Sequence, residues 1–198
     1  ARAVEEQVCE LLPVLETTVL FAAGAVGSMG PAAPAGASDI ERARSMGAEL
    51  GSIIAEAIPA MDRIGYRDDI DVRFAGVPAR MPPIQLRIGP GVRLSPLTAR
   101  LLGLWRTGRV SALRLGPVTF VGLPVDVSGE LAAAWRAEAD GHLIMTSFSG
   151  GYAGYLSPDA YYGQLYDGDE LAYETGIMSW TGPRQEEYFR ALTFAALP

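Results

Sequence analysis

Strand-like and helix-like segments alternate along this chain, which predicts an α/β or α+β fold, a mixed β-sheet flanked by helices. Two observations carry that expectation. Helical patterns such as "IERARSMGAELGSIIAEAI" and "SGELAAAWRAEA" fall between β-branched or apolar runs such as "DIDVRFAGV" and "HLIMTSF". The stretch "VSALRLGPVTFVGLP" holds two strand-like runs hinged at Gly116-Pro117, the signature of a hairpin.

The elements follow in order. "VEEQVCELL" has apolar residues at helical spacing, and "TTVLFAA", bounded by Gly24, reads as a buried strand beginning near Thr17. The loop "GAVGSMGPAAPAGAS" is too rich in Gly, Pro and Ala to be regular. Ser38 followed by Asp39 opens a helix that runs to Pro59. Strand regions at "DIDVRFAGV" and "IQLRI" are separated by Pro82-Pro83, and a short helix surrounds "PLTARLLGLW". After the hairpin come a helix in "SGELAAAWRAEA" with Ser128 as its cap, a strand in "HLIMTSF", a tyrosine-rich loop, and a last helix from about Gln185.

With 198 residues, 49% hydrophobic and 20% charged, the chain is long enough to bury a core in one domain or at most two. Its net charge of -7 argues against a groove that tracks phosphates, so nucleic acid is excluded as an expected partner. The one cysteine, Cys9, has no internal partner for a disulfide and reads as a buried thiol among Val8, Leu11 and Leu12. The one histidine, His142, stands at the start of an apolar strand, where a strand-edge imidazole is the ordinary reading. No zinc site with two or three histidines can be assembled from this chain alone.

Three features retain chemical interest. The glycine-rich turn Gly24 to Pro31 leaves a presumptive strand end and carries Ser28, with the backbone N–H groups of Gly27 to Gly30 as candidates to stabilise an oxyanion. In "GLPVDVSGELA", a strand ending at Pro124 places Asp126 just before a helix, where a capping carboxylate is the bland alternative. Finally, five of the eight tyrosines, Tyr152, Tyr155, Tyr161, Tyr162 and Tyr166, fall within fifteen positions. A phenol is both an apolar plate and a polar oxygen, so the cluster either packs a groove or serves a reaction.

The blocks "LFAAGAVGSMGP", "VTFVGLPVDVSGEL", "TSFSGGYAGYLSP" and "YETGIMSWTGP", in this order and over most of the chain, resemble the neutral/alkaline ceramidase family. The resemblance implies a zinc-dependent amidase that cleaves the N-acyl bond of ceramide. It further implies a metal held by two histidines from the N-terminal half of the domain, an acidic residue and a tyrosine. By the same resemblance Asp126 stands at the acidic ligand, one methylene shorter than the family's glutamate, with Glu130 as an alternative four residues on. Tyr155 matches the ligand tyrosine, and Tyr173 in "YETG" matches a second, supporting tyrosine, with Tyr166 as its rival. Where the family carries a nucleophilic serine directly before the block's proline, Gly30 precedes Pro31 here, leaving Ser28 as the nearest hydroxyl.

The family histidines have no counterpart in these residues. The expectation is therefore the C-terminal half of a ceramidase-like catalytic domain, with no separate second domain. An N-terminal half or a second chain would supply histidines and cover an otherwise open, apolar sheet. The resemblance also implies an N-acyl lipid substrate such as ceramide, peripheral membrane contact and an extracytoplasmic or secreted location. Two other readings stay open, a non-catalytic module that binds a lipid or a partner, and an amidase for a different N-acyl compound.

Overall fold

The computed structural model describes residues 20–30, 32, 38–64, 67–84, 86–89, 92–103, 107–163, 166–167 and 170–198, with the backbone alone at 61–64, 89, 163, 166–167 and 170–171. The chain forms two units, Ala1–Phe21 with Gly30–Asp69, and Ala22–Met29 with Ile70–Pro198. The helix expected in "VEEQVCELL", Cys9, and residues 17–19 of the first expected strand lie outside the described residues. Leu20 to Ala23 are described and form no strand; Leu20 and Phe21 are 87% and 70% exposed. The expected buried strand is corrected there: the segment's backbone joins no ladder, and its link to the sheet region is the Ser147 N–H donating to the Ala23 carbonyl at 3.0 Å.

In the first unit, the Ser38 side chain caps the start of helix α1 (Asp39–Ile64). The Glu41 N–H donates to Ser38 Oγ at 3.2 Å and that hydroxyl donates back to the Glu41 carboxylate at 3.0 Å. The helix passes through Pro59 rather than ending before it. A proline there removes its own N–H from the ladder and crowds the carbonyl four residues back, a local cost that the turns on either side outlast, so the helix continues to Ile64.

The second unit is built on a sheet ordered β1-β4-β5-β7, from β1 (Val72–Arg80), β4 (Thr107–Leu115), β5 (Val118–Gly122) and β7 (His142–Thr146). Strands β1, β4 and β5 pair antiparallel, while β7 runs parallel to β5, so the sheet is mixed. Gly116, at φ 57°, turns the hairpin from β4 to β5 as the Gly-Pro hinge requires. Pro78 sits inside β1, opposite Arg109, which the edge position of that strand permits because its missing N–H faces no partner strand. Between β1 and β4 lie β2 (Arg87–Gly89), β3 (Val92–Arg93) and helix α2 (Pro96–Leu101), capped by Ser95 accepting from the Leu97 N–H.

The crossover from β5 to β7 runs through β6 (Asp126–Val127) and helix α3 (Gly129–Glu138), and the chain closes with helix α4 (Glu186–Ala195). These helices cover one sheet face. Ala112, Val121, Leu143 and Met145 of the strands are buried with Leu131 and Trp135 of α3 and Phe189 of α4. Burying side chains of that size yields about 1.5–3 kcal/mol each. His142 opens β7, exposed at the sheet's edge. Among the described residues no helix is long and apolar enough to cross a membrane.

Candidate functional site

The parallel pair β5 and β7 ends where the chain turns into "LPVDVS" and "SFSGGYAGY", and ligands of parallel sheets gather at such carboxyl ends. Backbone bonds fix the "LPVDVS" segment from both sides. The Leu123 N–H donates to Thr146 O at 2.9 Å and the Ala153 N–H to Pro124 O at 2.9 Å. The Asp126 N–H donates to Gly154 O at 3.0 Å. Strand β6 then pairs in parallel with β8 (Tyr155–Leu156), which sets Asp126 opposite Tyr155 and Val127 opposite Leu156. Two residues 29 positions apart in sequence thus become register neighbours.

Gly154 makes this pairing possible. At φ 86° it occupies the left-handed region, and a Cβ there would stand 2.3 Å from the Met178 carbonyl oxygen. Gly27 plays the matching part on the glycine-rich turn: a Cβ would meet the Asp126 carbonyl oxygen at 2.7 Å, and its N–H donates to Val127 O at 3.0 Å. That bond removes the Gly27 N–H from the oxyanion donors expected of the turn, and the Met29 N–H is likewise taken, by Val26 O at 3.1 Å. Gly30 is exposed.

Asp126 is 4% exposed, and its Oδ1 has no hydrogen-bond partner among the described residues. Burial pushes its carboxyl above the ordinary range, and the nearby Ser147 and Tyr155 hydroxyls pull it partly back. Ser147 is itself buried, its Oγ accepting the Val127 N–H at 3.2 Å. The Tyr155 phenol is pushed well up by burial, by the Tyr173 hydroxyl beside it and by the charge of Asp126. Its ring meets Tyr173 edge-on, centroids 5.6 Å apart. Tyr173 is therefore brought to Tyr155, whereas Tyr166 begins the short strand β9 (Tyr166–Asp167) and its side chain lies outside what is described.

Glu130 is held by two serines. Its carboxylate accepts the Ser28 hydroxyl at 2.8 Å and the Ser128 hydroxyl, and these bonds hold it below the usual carboxylate range. Ser128 occupies the cap position of α3 without capping it; Ser28 does so from across the fold, its Oγ accepting the Gly129 N–H at 3.0 Å. Ser28 therefore ties the glycine-rich turn to the start of α3.

Two further residues of this site carry no signal of their own in the sequence, and a third, Tyr152, is marked there only as a member of the tyrosine cluster. Ser147 is one. Glu174 lies on the single π-helical turn Tyr173–Ile177, a backbone form common at functional sites, and its carboxyl is raised by burial and then by the charges of Glu130 and Asp126. Tyr152 stacks edge-on with Trp180 at 5.1 Å and tilts against Phe148 at 5.4 Å; burial raises its phenol, with the Asp126 charge next. Phe148 holds a left-handed backbone at φ 59°. The remaining phenols divide: Tyr162 shares a hydrogen bond with Ser179 at 2.6 Å, and Tyr161 is 43% exposed.

As a test of the zinc the resemblance implies, the residues fit two positions of its shell. An unpartnered buried carboxylate oxygen, an ordinary ligand type for that ion, and a phenol, a ligand only by the family resemblance, sit on paired strands. Glu130 gives one carboxylate oxygen, Oε2, to both Ser28 and Ser128. Among the described residues no three His, Cys, Asp or Glu side chains converge to hold an ion.

No protein-family model matches this sequence, and no curated protein matches it. Solved structures do. The neutral ceramidase from Pseudomonas aeruginosa matches 98% of this chain with a TM-score of 0.56 and 15% identity. A ceramidase complexed with C2 matches 79% with a TM-score of 0.51 and 15% identity. The chain spans 40% and 34% of the lengths of those two chains. Over nearly its whole length this chain has the fold of part of a neutral ceramidase.

Proposed function

We propose that this chain contributes half of the active centre of a ceramidase-type hydrolase, which cleaves the amide bond of ceramide or a related N-acyl lipid. The observation that carries the reading is Asp126 Oδ1, buried, without a partner among the described residues and directly across the β6–β8 pairing from Tyr155. The Ser147 and Tyr155 hydroxyls reach this carboxylate, yet one buried oxygen is left over, and a buried polar atom without a partner calls for an explanation such as a bound ion. Asp126 and Tyr155 would hold zinc together with two histidines from outside these 198 residues, and the bound ion would supply a Lewis acid to the amide carbonyl.

The chain's own groups divide the remaining work. Tyr173 sets the Tyr155 ring by edge contact. Glu174, its carboxyl raised by burial, would retain a proton at higher pH than an exposed glutamate, which suits it to act as an acid toward the leaving amine. The row Phe148, Tyr152 and Trp180 offers apolar surface beside the carboxylate. Ser28 has both its donor and an acceptor site engaged by α3 residues, which favours an anchoring role over attack on the carbonyl.

The test is zinc content and hydrolysis of an N-acyl sphingosine by the complete protein. Asp126→Ala and Tyr155→Phe are expected to lower zinc occupancy and abolish turnover, while Ser28→Ala retains zinc. Full zinc occupancy in both of the first two variants would remove them from the metal, and hydrolysis confined to other N-acyl compounds would replace the substrate.

A further inference from the structure

The π-helical turn Tyr173–Ile177 is bonded in two ways at once. At its start the Ala172 carbonyl accepts the Gly176 N–H at 2.7 Å, the α pattern, and the Ile177 N–H at 3.2 Å, the π pattern. A turn shared between these windings is easily tipped from one to the other, and the π form is the rarer. The choice matters for its side chains, because one residue more or less in a turn rotates whatever follows by about 100°. Tyr173 is 58% exposed and meets Tyr155 by its ring edge alone, so its place is inherited from the backbone that carries it.

That backbone is restrained from outside. At the far end of the turn the Met178 carbonyl accepts the Tyr155 N–H at 2.9 Å, and Ser179, 1% exposed, shares a hydrogen bond with the Tyr162 hydroxyl at 2.6 Å. The middle is held by Arg87 of strand β2, which pairs with β3 in a small sheet of its own. The part-buried Arg87 Nη1 donates to the Thr175 carbonyl at 3.0 Å across 88 positions of sequence. Thr175 is 4% exposed, which shields that bond from water. Gly182, at φ 77°, lies alongside the same guanidinium, where a Cβ would stand 3.8 Å from Arg87 Nη2. A charged donor makes a bond roughly twice as strong as a neutral one, and the rigid fork of a guanidinium fixes direction as well as distance.

We infer that Arg87 is a positioning residue, which clamps the π-turn through the Thr175 carbonyl and so sets Tyr173 and Glu174 beside the Asp126–Tyr155 pair. It acts through the backbone of the turn. The consequence for turnover rests on the function proposed above; the consequence for the Tyr173 ring does not.

The experiment places meta-fluorotyrosine at Tyr173 of the complete protein and records its fluorine resonance with chelator present. Arg87→Met keeps an unbranched side chain and removes every donor; it should displace or split that resonance as the turn populates the α winding. With zinc, kcat for an N-acyl sphingosine should fall about tenfold or more while KM stays within about threefold, the mark of misplaced groups rather than lost binding. Arg87→Lys restores a charge and a donor and should recover the resonance and part of kcat. Arg190→Met, which breaks the tie between α4 and Glu138 of α3, is the control and should leave the resonance in place. An unmoved resonance in Arg87→Met would overturn the inference, as would an equal displacement in Arg190→Met. So would an Arg87→Met protein that fails to fold, because the guanidinium would then serve the fold as a whole. A displaced resonance in a protein that hydrolyses no N-acyl lipid even as wild type would sink the proposed function and leave the clamp standing. Hydrolysis with resonance and kcat untouched by Arg87→Met would do the reverse.

Discussion

Replacing Asp126 with Asn should make the metal-free protein more stable and the zinc-loaded one less so. The side chain is 4% exposed and Oδ1 has no partner among the described residues. Leaving a buried polar atom unpartnered costs about 1–3 kcal/mol, with charged groups toward the upper end. The Ser147 and Tyr155 hydroxyls offset part of this. Asparagine keeps the shape and removes the charge, so a gain of about 1–2 kcal/mol is expected. In a chain of this length each kcal/mol moves the melting temperature by about 2–4 °C, which gives a rise of about 2–8 °C. Calorimetry at neutral pH with chelator reads this directly. Zinc at a hundredfold excess over its Kd should then add about 2.7 kcal/mol to the complete wild-type protein and much less to Asp126→Asn. A metal-free Asp126→Asn protein that melts below wild type would refute the reasoning, since the carboxylate would then be held for structure rather than for a ligand.

Three other outcomes follow from the same geometry. Gly154→Ala forces a Cβ against the Met178 carbonyl at φ 86° and should cost about 1–3 kcal/mol in denaturant unfolding; a loss under about 0.5 kcal/mol would show that the β6–β8 pairing yields easily. Ser28→Ala deletes the hydroxyl that accepts the Gly129 N–H and should cost about 1 kcal/mol without changing zinc content, and a loss of zinc would return Ser28 to the reaction centre. Burial holds the Tyr162 phenol above its ordinary range despite the Ser179 bond. The folded state thus keeps a proton that the unfolded chain releases near pH ~10. Stability from this group is therefore full below that pH and falls as pH rises through the folded value, and unfolding midpoints of wild type should drop more steeply above pH ~10 than those of Tyr162→Phe.

Local chemistry alone determined much of the scaffold. The Ser38-Asp39 start of α1, the Gly116-Pro117 hairpin, the helix after Ser128 and the strand from His142 all rest on residues within a few positions of each other, where propensity and capping act. The order of the four sequence blocks also pointed to the ceramidase fold that the solved structures share. Pro59 shows the limit of local reading, because the helix around it outlasts a residue that sequence alone takes for a stop.

The site itself was decided by tertiary contacts. That Asp126 lies across from Tyr155 depends on a parallel pairing of two-residue strands, too short to leave a periodic signal. That Ser28 caps α3, and that Glu130 is held by two serines, depends on a turn meeting a helix about a hundred positions away. Glu174 acquires its raised carboxyl only because folding buries it and then brings the charges of Glu130 and Asp126 near. Electrostatic coupling and desolvation act through space and fall off within a few ångströms, whereas sequence spacing fixes only what is near along the chain, so the scaffold could be read residue by residue and the chemistry of the site could not.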